Sequence, residues 1–225
     1  MLNISVIIPT LNEERFLGNL LNQLKQFDEN VEIIISDGGS TDKTLEIAES
    51  FNVKIVKGRK GRGEQLNRGS KIAYGNIFVF QHADTLLPDN AFALIKNHFK
   101  KDGNYVATYR LGFDRESVTY KFYTYLTKFD SIFTTFGDQT IIVRKEFFET
   151  VDRFPNNPIF EDVAFLRKTR KQTGIVKLPA NVITSARRFN KNGAIKTQLI
   201  SAFYFALYFF GVDTSKIYNR YYSEK

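Results

Sequence analysis

Asp37, Asp84, Glu161 and Asp162 are the carboxylates of this 225-residue chain whose neighbours and spacing suit them for chemistry. Asp37 lies in Ser-Asp-Gly-Gly-Ser-Thr-Asp (36–42), directly after the β-branched run 31–35. Two glycines there let backbone approach a flat ligand, and the carboxylate could accept from a base N–H or a ribose hydroxyl. Its place at a strand exit favours a ligand over a bare turn. Asp42 reads as a helix cap. Asp84 closes His82-Ala83-Asp84 after the apolar run 77–80. A hard divalent cation takes one or two carboxylates plus substrate phosphate oxygens. Asp84 could supply that carboxylate, and His82 could add a ligand or contact a nucleotide. Asp84-Thr85 could also simply cap the next helix. Glu161 and Asp162 open a helical stretch, 160–172. Acids at a helix start often do no more than meet the dipole. A carboxylate at a cleft, its pKa raised by burial or a neighbouring charge, is also what a general base needs. Spacing alone leaves these two readings level.

The cations and amides fall in comparable places. Arg59, Lys60 and Arg62 follow the third strand, and Arg187-Arg188 follow the last. Together they would form an anion-binding rim able to clamp a diphosphate. Asp138 and Gln139 stand in Phe136-Gly137-Asp138-Gln139, just before a strand. His98, on the apolar face of a helix ending in Lys100-Lys101, reads as structural. With two His and no Cys, no Ser-His-Asp or Cys-His arrangement is available. A thiol nucleophile, a disulfide framework and a Cys-ligated zinc site are excluded as well.

These residues need elements to hold them, and the hydrophobic pattern supplies them. Residues 4–8 are a buried strand ending at Pro9, and Asn12 caps a helix carrying Phe16, Leu17, Leu20, Leu21 and Leu24 at helical spacing. Strands follow at 31–35, 53–56 and 77–80, separated by helices after Asp42 and over 64–74. Strand and helix alternating, with continuously apolar strands, means an α/β fold: a parallel sheet covered on both faces. Ligands of such sheets bind at the carboxyl ends of the strands. Asn12, Glu13, Asp37, Arg59, Arg62, His82 and Asp84 cluster there. Beyond residue 100 the alternation is less regular, with strands expected at 105–113, 139–143, 175–178 and 182–184 and an aromatic segment at 120–136. Neither GxGxxG nor GxxxxGK[ST] follows the first strand, which disfavours a dinucleotide-binding or P-loop site.

Hydrophobic residues make up 43% of the chain, with 14 Gly and 5 Pro, which excludes disordered and collagenous classes. Residues 1–164 carry 20 basic against 22 acidic side chains, whereas residues 165–225 carry 12 against 2. A basic segment can attract nucleic acid, an anionic membrane or an anionic substrate, and charge alone does not choose. The opening Met-Leu-Asn-Ile-Ser lacks a basic leader, so no secretory signal is expected. Residues 199–212 are almost wholly apolar. As a helix they would be about 21 Å long, short of the roughly 30 Å hydrocarbon core. Such a helix is buried against its own domain or a second subunit, or it lies in the membrane interface.

SVIIPTLNEE (5–14), SDGGSTD (36–42), GRGEQLNRG (61–69), FQHADTLLP (80–88), GDQTIIVR (137–144), FEDV (160–163) and SARRF (185–189) together resemble family 2 glycosyltransferases. The likeness is nearest to a short, single-domain branch whose metal motif reads His-Ala-Asp. It implies a GT-A fold, with a mostly parallel, Rossmann-like central sheet flanked by helices and a C-terminal helical segment. One domain would fill 1–225: a nucleotide-sugar half (1–100), an acceptor and catalytic half (101–190), and an apolar, basic helical segment (191–225). The implied activity is inverting, metal-dependent transfer from a nucleotide-diphospho-sugar, UDP-linked by default, using Mn²⁺ or Mg²⁺. By position, Asn12, Glu13 and Asp37 line the nucleotide pocket, with Arg62 and His82 reaching the donor. Asp84 holds the metal, Asp162 is the catalytic base with Glu161 as fallback, Asp138 and Gln139 border the acceptor, and Arg187 or Arg188 steadies the diphosphate. His82 replaces the usual first acid of the metal motif, and Gly38 the usual second acid after Asp37. The Gln-x-x-Arg-Trp motif of processive members is absent, which implies a single transfer. The acceptor is unknown, a lipid-linked one being an option, and no nucleic-acid partner is expected. Residues 195–212 could meet a membrane peripherally or a second copy. The expected location is the cytoplasm, with the inner face of the membrane as the alternative. The rival readings are a sugar-nucleotide nucleotidylyltransferase and a non-catalytic nucleotide- or membrane-binding module of the same fold.

Overall fold

Strand β1 (Ile4–Thr10) is apolar along its length because the sheet buries it on both faces. The computed structural model describes residues 2–27, 31–185 and 194–223, the side chains of 194–199 and 222–223 excepted. β2 (Glu32–Asp37) pairs with β1 in parallel, and β3 (Lys54–Lys57) lies outside it with an exposed lysine at each end. β4 (Ile77–Phe80) flanks the other side of β1, also in parallel. β5 (Thr85–Leu86), β6 (Val106–Phe113), β7 (Ile141–Arg144) and β8 (Val176–Thr184) complete the order β3-β2-β1-β4-β7-β6-β8-β5. β7 opposes β4 and β6, β5 opposes β8, and every other neighbouring pair is parallel, so the sheet is mostly parallel. The chain visits β2 and β3 on one side of β1 before crossing to β4. In sheets with such a reversal, ligands bind outside the carboxyl ends of the strands on either side of it, here β1 and β4.

Helices cover both faces. α1 (Leu17–Phe27) buries Leu17, Leu20, Leu21 and Leu24 against Ile4, Val6 and Ile8. α2 (Thr44–Ser50) and α4 (Ala91–Phe99) join that layer through Ala48, Phe92, Ile95 and Phe99. α3 (Arg62–Ile72) takes the opposite face, where Leu66 meets Ile7 and Ile34. A β-carbon on Gly69 would fall 2.5 Å from Ile7 Cγ2, so only glycine lets α3 lie this close to β1. α5 (Val118–Leu126) follows β6, and α6 (Lys145–Thr150) and α7 (Glu161–Arg170) share the layer of α3. There Phe80 packs on Phe148 at 5.0 Å and edge-on to Phe154 at 4.9 Å, and Phe154 packs on Phe165 at 4.7 Å. This ring cluster fixes the end of β4; truncating Phe148 to Ala would cost about 3–5 kcal/mol. α8 (Ala194–Phe209) and α9 (Thr214–Ser223) close the chain, separated by Gly211 at φ +83°.

Several expectations from sequence are corrected. Asn12 does not cap α1; it takes a left-handed conformation (φ 57°) and turns to the 36–42 loop. Asp84 caps no helix, because β5 and a turn separate it from α4. Gln139 belongs to a 3-10 turn (Gly137–Gln139), and the strand starts only at Ile141. The two short strands expected at 175–178 and 182–184 are one, β8. Its register against β6 slips between Thr108 and Arg110, opposite Pro179, which has no N–H to give the ladder.

Candidate active site

At the exits of β1 and β2 the polar side chains bond to one another. Asp37, 1% exposed, accepts from Thr10 Oγ1 at 3.0 Å, Ser40 Oγ at 2.5 Å, Gly39 N at 2.7 Å and Ser40 N at 2.9 Å. Burial alone would raise this carboxyl; the Ser40, Gly39 and Thr10 bonds more than offset that and hold it below the ordinary value. Four bonds fill its acceptor sites. Asp37 therefore braces its own turn at the exit of β2, the strand end where the sequence places a donor-binding carboxylate.

Asn12 and Glu13 lock to the same loop. Asn12 Oδ1 accepts from Thr41 N at 2.8 Å, its N–H donates to Ser40 Oγ, and Glu13 N–H donates to Thr44 Oγ1. Asp42 is not the cap expected from sequence: the N-cap position of α2 falls on Lys43, and Asp42, one residue earlier, accepts from Thr44 N at 3.0 Å. Gln65 of α3 donates to both Thr10 O (2.8 Å) and Ser36 O (2.9 Å), tying the ends of β1 and β2. Sequence reasoning passed over this buried amide, although it lies inside GRGEQLNRG.

At the exit of β4, Gln81 is fully buried, accepting from Thr140 Oγ1 and donating to Thr85 O. His82 and Asp84 follow it, half-buried. Asp84 O accepts from Ser185 N at 3.2 Å, and Thr85 bonds Thr184 across the β5–β8 ladder, so the end of β8 is delivered to Asp84. Arg187 and Arg188 lie outside the described residues. Among the described residues no group of three or more His, Cys, Asp or Glu side chains gathers at one point. One carboxylate with a histidine nearby at a strand end suits Mg²⁺ or Mn²⁺ carried largely by substrate phosphates and water, not an all-protein cage. The donor set fits such an ion.

The third group lies between the starts of α3 and α7. Glu161 and Asp162 are 1% and 7% exposed. Glu161 is ion-paired with Arg62 Nε, and Arg62 also lies 3.5 Å from Asp162 Oδ1. Asp162 Oδ2 accepts from Gly137 N at 2.7 Å. Burial pushes the Glu161 carboxyl up, against the pull of Arg62 and with the Asp162 charge adding to the rise. Arg62, although partly desolvated, is pushed above its already high value by both acids. Arg62 is thus paired with both acids at the start of α3. Phe160, immediately before the pair, sits in the left-handed region at φ 62°, so the chain turns sharply into α7. The acids are held side by side because one is paired with Arg62 and the other with a backbone N–H.

Asp138 is close enough to influence both Arg62 and Lys177. Gln139, 1% exposed, accepts from Lys177 Nζ and donates to Thr134 O. Its amide is engaged inside the wall, in the same turn that carries Asp138. Burial brings the Lys177 amine down to about 7, against the attraction of Asp130 and Asp138. Lys177 was not singled out from sequence, since one lysine in a short strand carries no signal.

The sequence profile of the family described as Glycosyl transferase family 2 matches residues 5–169. An uncharacterized glycosyltransferase of Haemophilus influenzae is 28% identical over 225 aligned residues, covering 92% of this chain and 87% of that protein. Staphylococcus aureus TarS (1–349), solved in complex with UDP-GlcNAc, superposes with a TM-score of 0.66 at 24% identity, over 82% of this chain and 58% of TarS. A mannosyltransferase from Pyrobaculum calidifontis, solved with GDP-Man and Mn²⁺, gives 0.67 at 18% identity, over 87% of this chain and 59% of that one. The chain spans less than two thirds of both solved proteins, and the likeness is one of fold, a GT-A-type sheet flanked by helices.

Proposed function

The chain belongs to glycosyltransferase family 2, and from that premise we propose that it moves one sugar, with inversion, from a UDP-sugar to an acceptor hydroxyl. The observation that carries the reading is Asp162: a nearly buried carboxylate anchored through one oxygen by Gly137 N–H, its other oxygen 3.5 Å from Arg62. Inversion needs one base on the face of the sugar opposite the leaving group, in contrast to the two flanking carboxylates of a typical hydrolase. Asp162 takes the proton of the acceptor hydroxyl as its oxygen bonds to the anomeric carbon. The bond from that carbon to the diphosphate breaks, and the nucleoside diphosphate leaves with the electron pair. Glu161 holds Arg62 in place, and the Arg62 guanidinium stands 3.5 Å from the carboxylate that receives the proton.

The leaving diphosphate needs charge neutralisation, not a protonating acid. Bound Mn²⁺ or Mg²⁺ would supply that as a Lewis acid. Asp84 would hold the ion, with His82 beside it, and Arg187 or Arg188 would steady the diphosphate. The latched turn of Asn12, Glu13 and Asp37 shapes the nucleotide end of the crevice, and Asp138 stands on the acceptor side. The bound donor of TarS supports the choice of UDP, and the bound Mn²⁺ of the mannosyltransferase supports the cation.

The test is a thermal-shift screen of nucleotide sugars with and without Mn²⁺, followed by NMR of the product. A donor at a hundred times its dissociation constant adds about 2.7 kcal/mol to stability. A product whose anomeric configuration is opposite to that of the donor confirms inversion; retained configuration, or no response to any nucleotide, rejects the reading.

A further inference from the structure

We propose that the aromatic face made by α5, the turn at 127–136 and the end of α8 seats on an anionic bilayer surface. On α5 the outward stripe is apolar: Val118, Phe122, Tyr125 and, one turn past the helix, Phe129 fall at i, i+4, i+7 and i+11, and all are exposed. The inward side is already served by Tyr120, buried and stacked on Phe113 at 4.6 Å. A helix bathed in water carries polar residues on that outward stripe.

The stripe continues onto α8. The Tyr125 and Phe129 rings meet at 5.8 Å, and Thr134 Oγ1 folds back to Phe129 O. Phe133, 66% exposed, meets Phe205 of α8 at 6.0 Å. Farther along α8, Phe209 is exposed and Phe210, just past its end, is 83% exposed. A connected apolar face of this extent marks an interaction site. α8 is anchored from beneath by Tyr204, which is buried and packs on Tyr221 of α9 at 5.3 Å. With 16 residues it is about 24 Å long, and no described helix is long and apolar enough to cross a membrane. Its geometry suits lying along an interface.

Charge selects the occupant. Lys121, ion-paired with Glu116 at 3.0 Å, and Lys128 flank the α5 stripe, with Lys128 Nζ 5.0 Å above the Tyr125 ring, and Lys216 and Arg220 are exposed on α9. Residues 165–225 as a whole carry 12 basic against 2 acidic side chains. A second copy would bring two such surfaces together, whereas anionic headgroups complement them. Aromatic residues among lysines are the composition of a surface-lying segment.

The face also borders the acid pair. Phe205 touches Phe136 (5.9 Å) and Phe160 (6.0 Å), and Tyr208 touches Phe160 (5.1 Å). Phe136 precedes Gly137, which holds Asp162, and Phe160 precedes Glu161. Seated on a bilayer, this face brings the base beside the hydroxyl of an amphiphilic acceptor embedded there. That last step rests on the role proposed for Asp162; the docking does not.

Flotation of the full chain with vesicles tests the docking without any donor. Vesicles of phosphatidylcholine and phosphatidylglycerol in equal parts should carry the protein at low salt, and phosphatidylcholine alone should not. The combined variant Phe122→Ser, Phe129→Ser, Phe133→Ser should lower partitioning roughly tenfold or more, with an unchanged melting temperature. The chain has no Trp, so Phe133→Trp gives a clean reporter whose emission should shift to the blue on the anionic vesicles, while Tyr74→Trp on the α3 side should not respond. No flotation of the unaltered chain, equal flotation of the triple variant, or a dimer in sedimentation velocity that the triple variant dissolves would each overturn the proposal. UDP-sugar binding by the triple variant is read separately, so failure of the donor reading and failure of docking are distinguishable.

Discussion

The backbone N–H of Gly137 lies 2.7 Å from Asp162 Oδ2, and a β-carbon on Gly137 would fall 2.9 Å from that same oxygen. The residue that anchors the acid thus has to lack a side chain. Gly137→Ala is expected to push the carboxylate off its N–H while leaving the sheet and the donor crevice alone. Turnover should drop by about one to two orders of magnitude, since a misplacement near 1 Å costs on that scale. Steady-state kinetics check it: kcat falls and donor KM stays within a small factor.

Asp162 and Glu161 should separate cleanly. Asp162→Asn keeps donor affinity and loses roughly two to four orders of magnitude in kcat, the range for a lost general base. Glu161→Gln acts first on stability, because it leaves Arg62 facing one acid fewer. The Arg62 side chain is about a third exposed, so the cost lies between the exposed-pair and buried-pair limits, about 2 kcal/mol. Urea unfolding of both variants beside their kinetics checks the division. Equal kinetic losses with unchanged stability would make Glu161 a second base.

Asp84→Asn is expected to remove the response of nucleotide binding to Mn²⁺ and little else, because Asp84 is half-buried at a strand end and caps no helix. The check is a UDP titration by calorimetry with and without Mn²⁺. The unaltered chain should bind more tightly with the ion; the variant should give the same affinity in both.

β1, β2 and β4 are legible in the sequence because their two buried faces require continuous apolar runs. β8 is not legible as one strand, since Pro179 interrupts a pattern that the register slip absorbs. In the site, Asp37, Asp84 and Asp162 can be located by where strands and helices end. What they bond to cannot, because those contacts are long-range. Gln65 reaches Thr10 O across 55 positions and Arg62 reaches Glu161 across 99, distances set by how α3 lies on β1 and against α7. That Asp37 braces its own turn and that Arg62 pairs with the acids follows from that packing. Local spacing does not contain it.

Lys177 ties this wall to pH. Its amine, down at about 7 through burial, donates to Gln139 in the same turn that places Gly137. In the unfolded chain the amine titrates near its ordinary value of about 10.4. Between pH 7 and about 10 the unfolded state therefore binds more protons than the folded state, and stability rises with pH over that window. Below pH 7 both states are protonated and the slope from this group vanishes, while the burial penalty is felt in full. Lys177→Met removes the titration and is expected to flatten the rise. Urea midpoints at pH 7.0 and 9.5 for the two proteins check it: the gap between them should narrow at the higher pH if methionine is the more stable occupant at pH 7. A parallel pH dependence in both would show that other groups set it and that Lys177 stays charged within the wall.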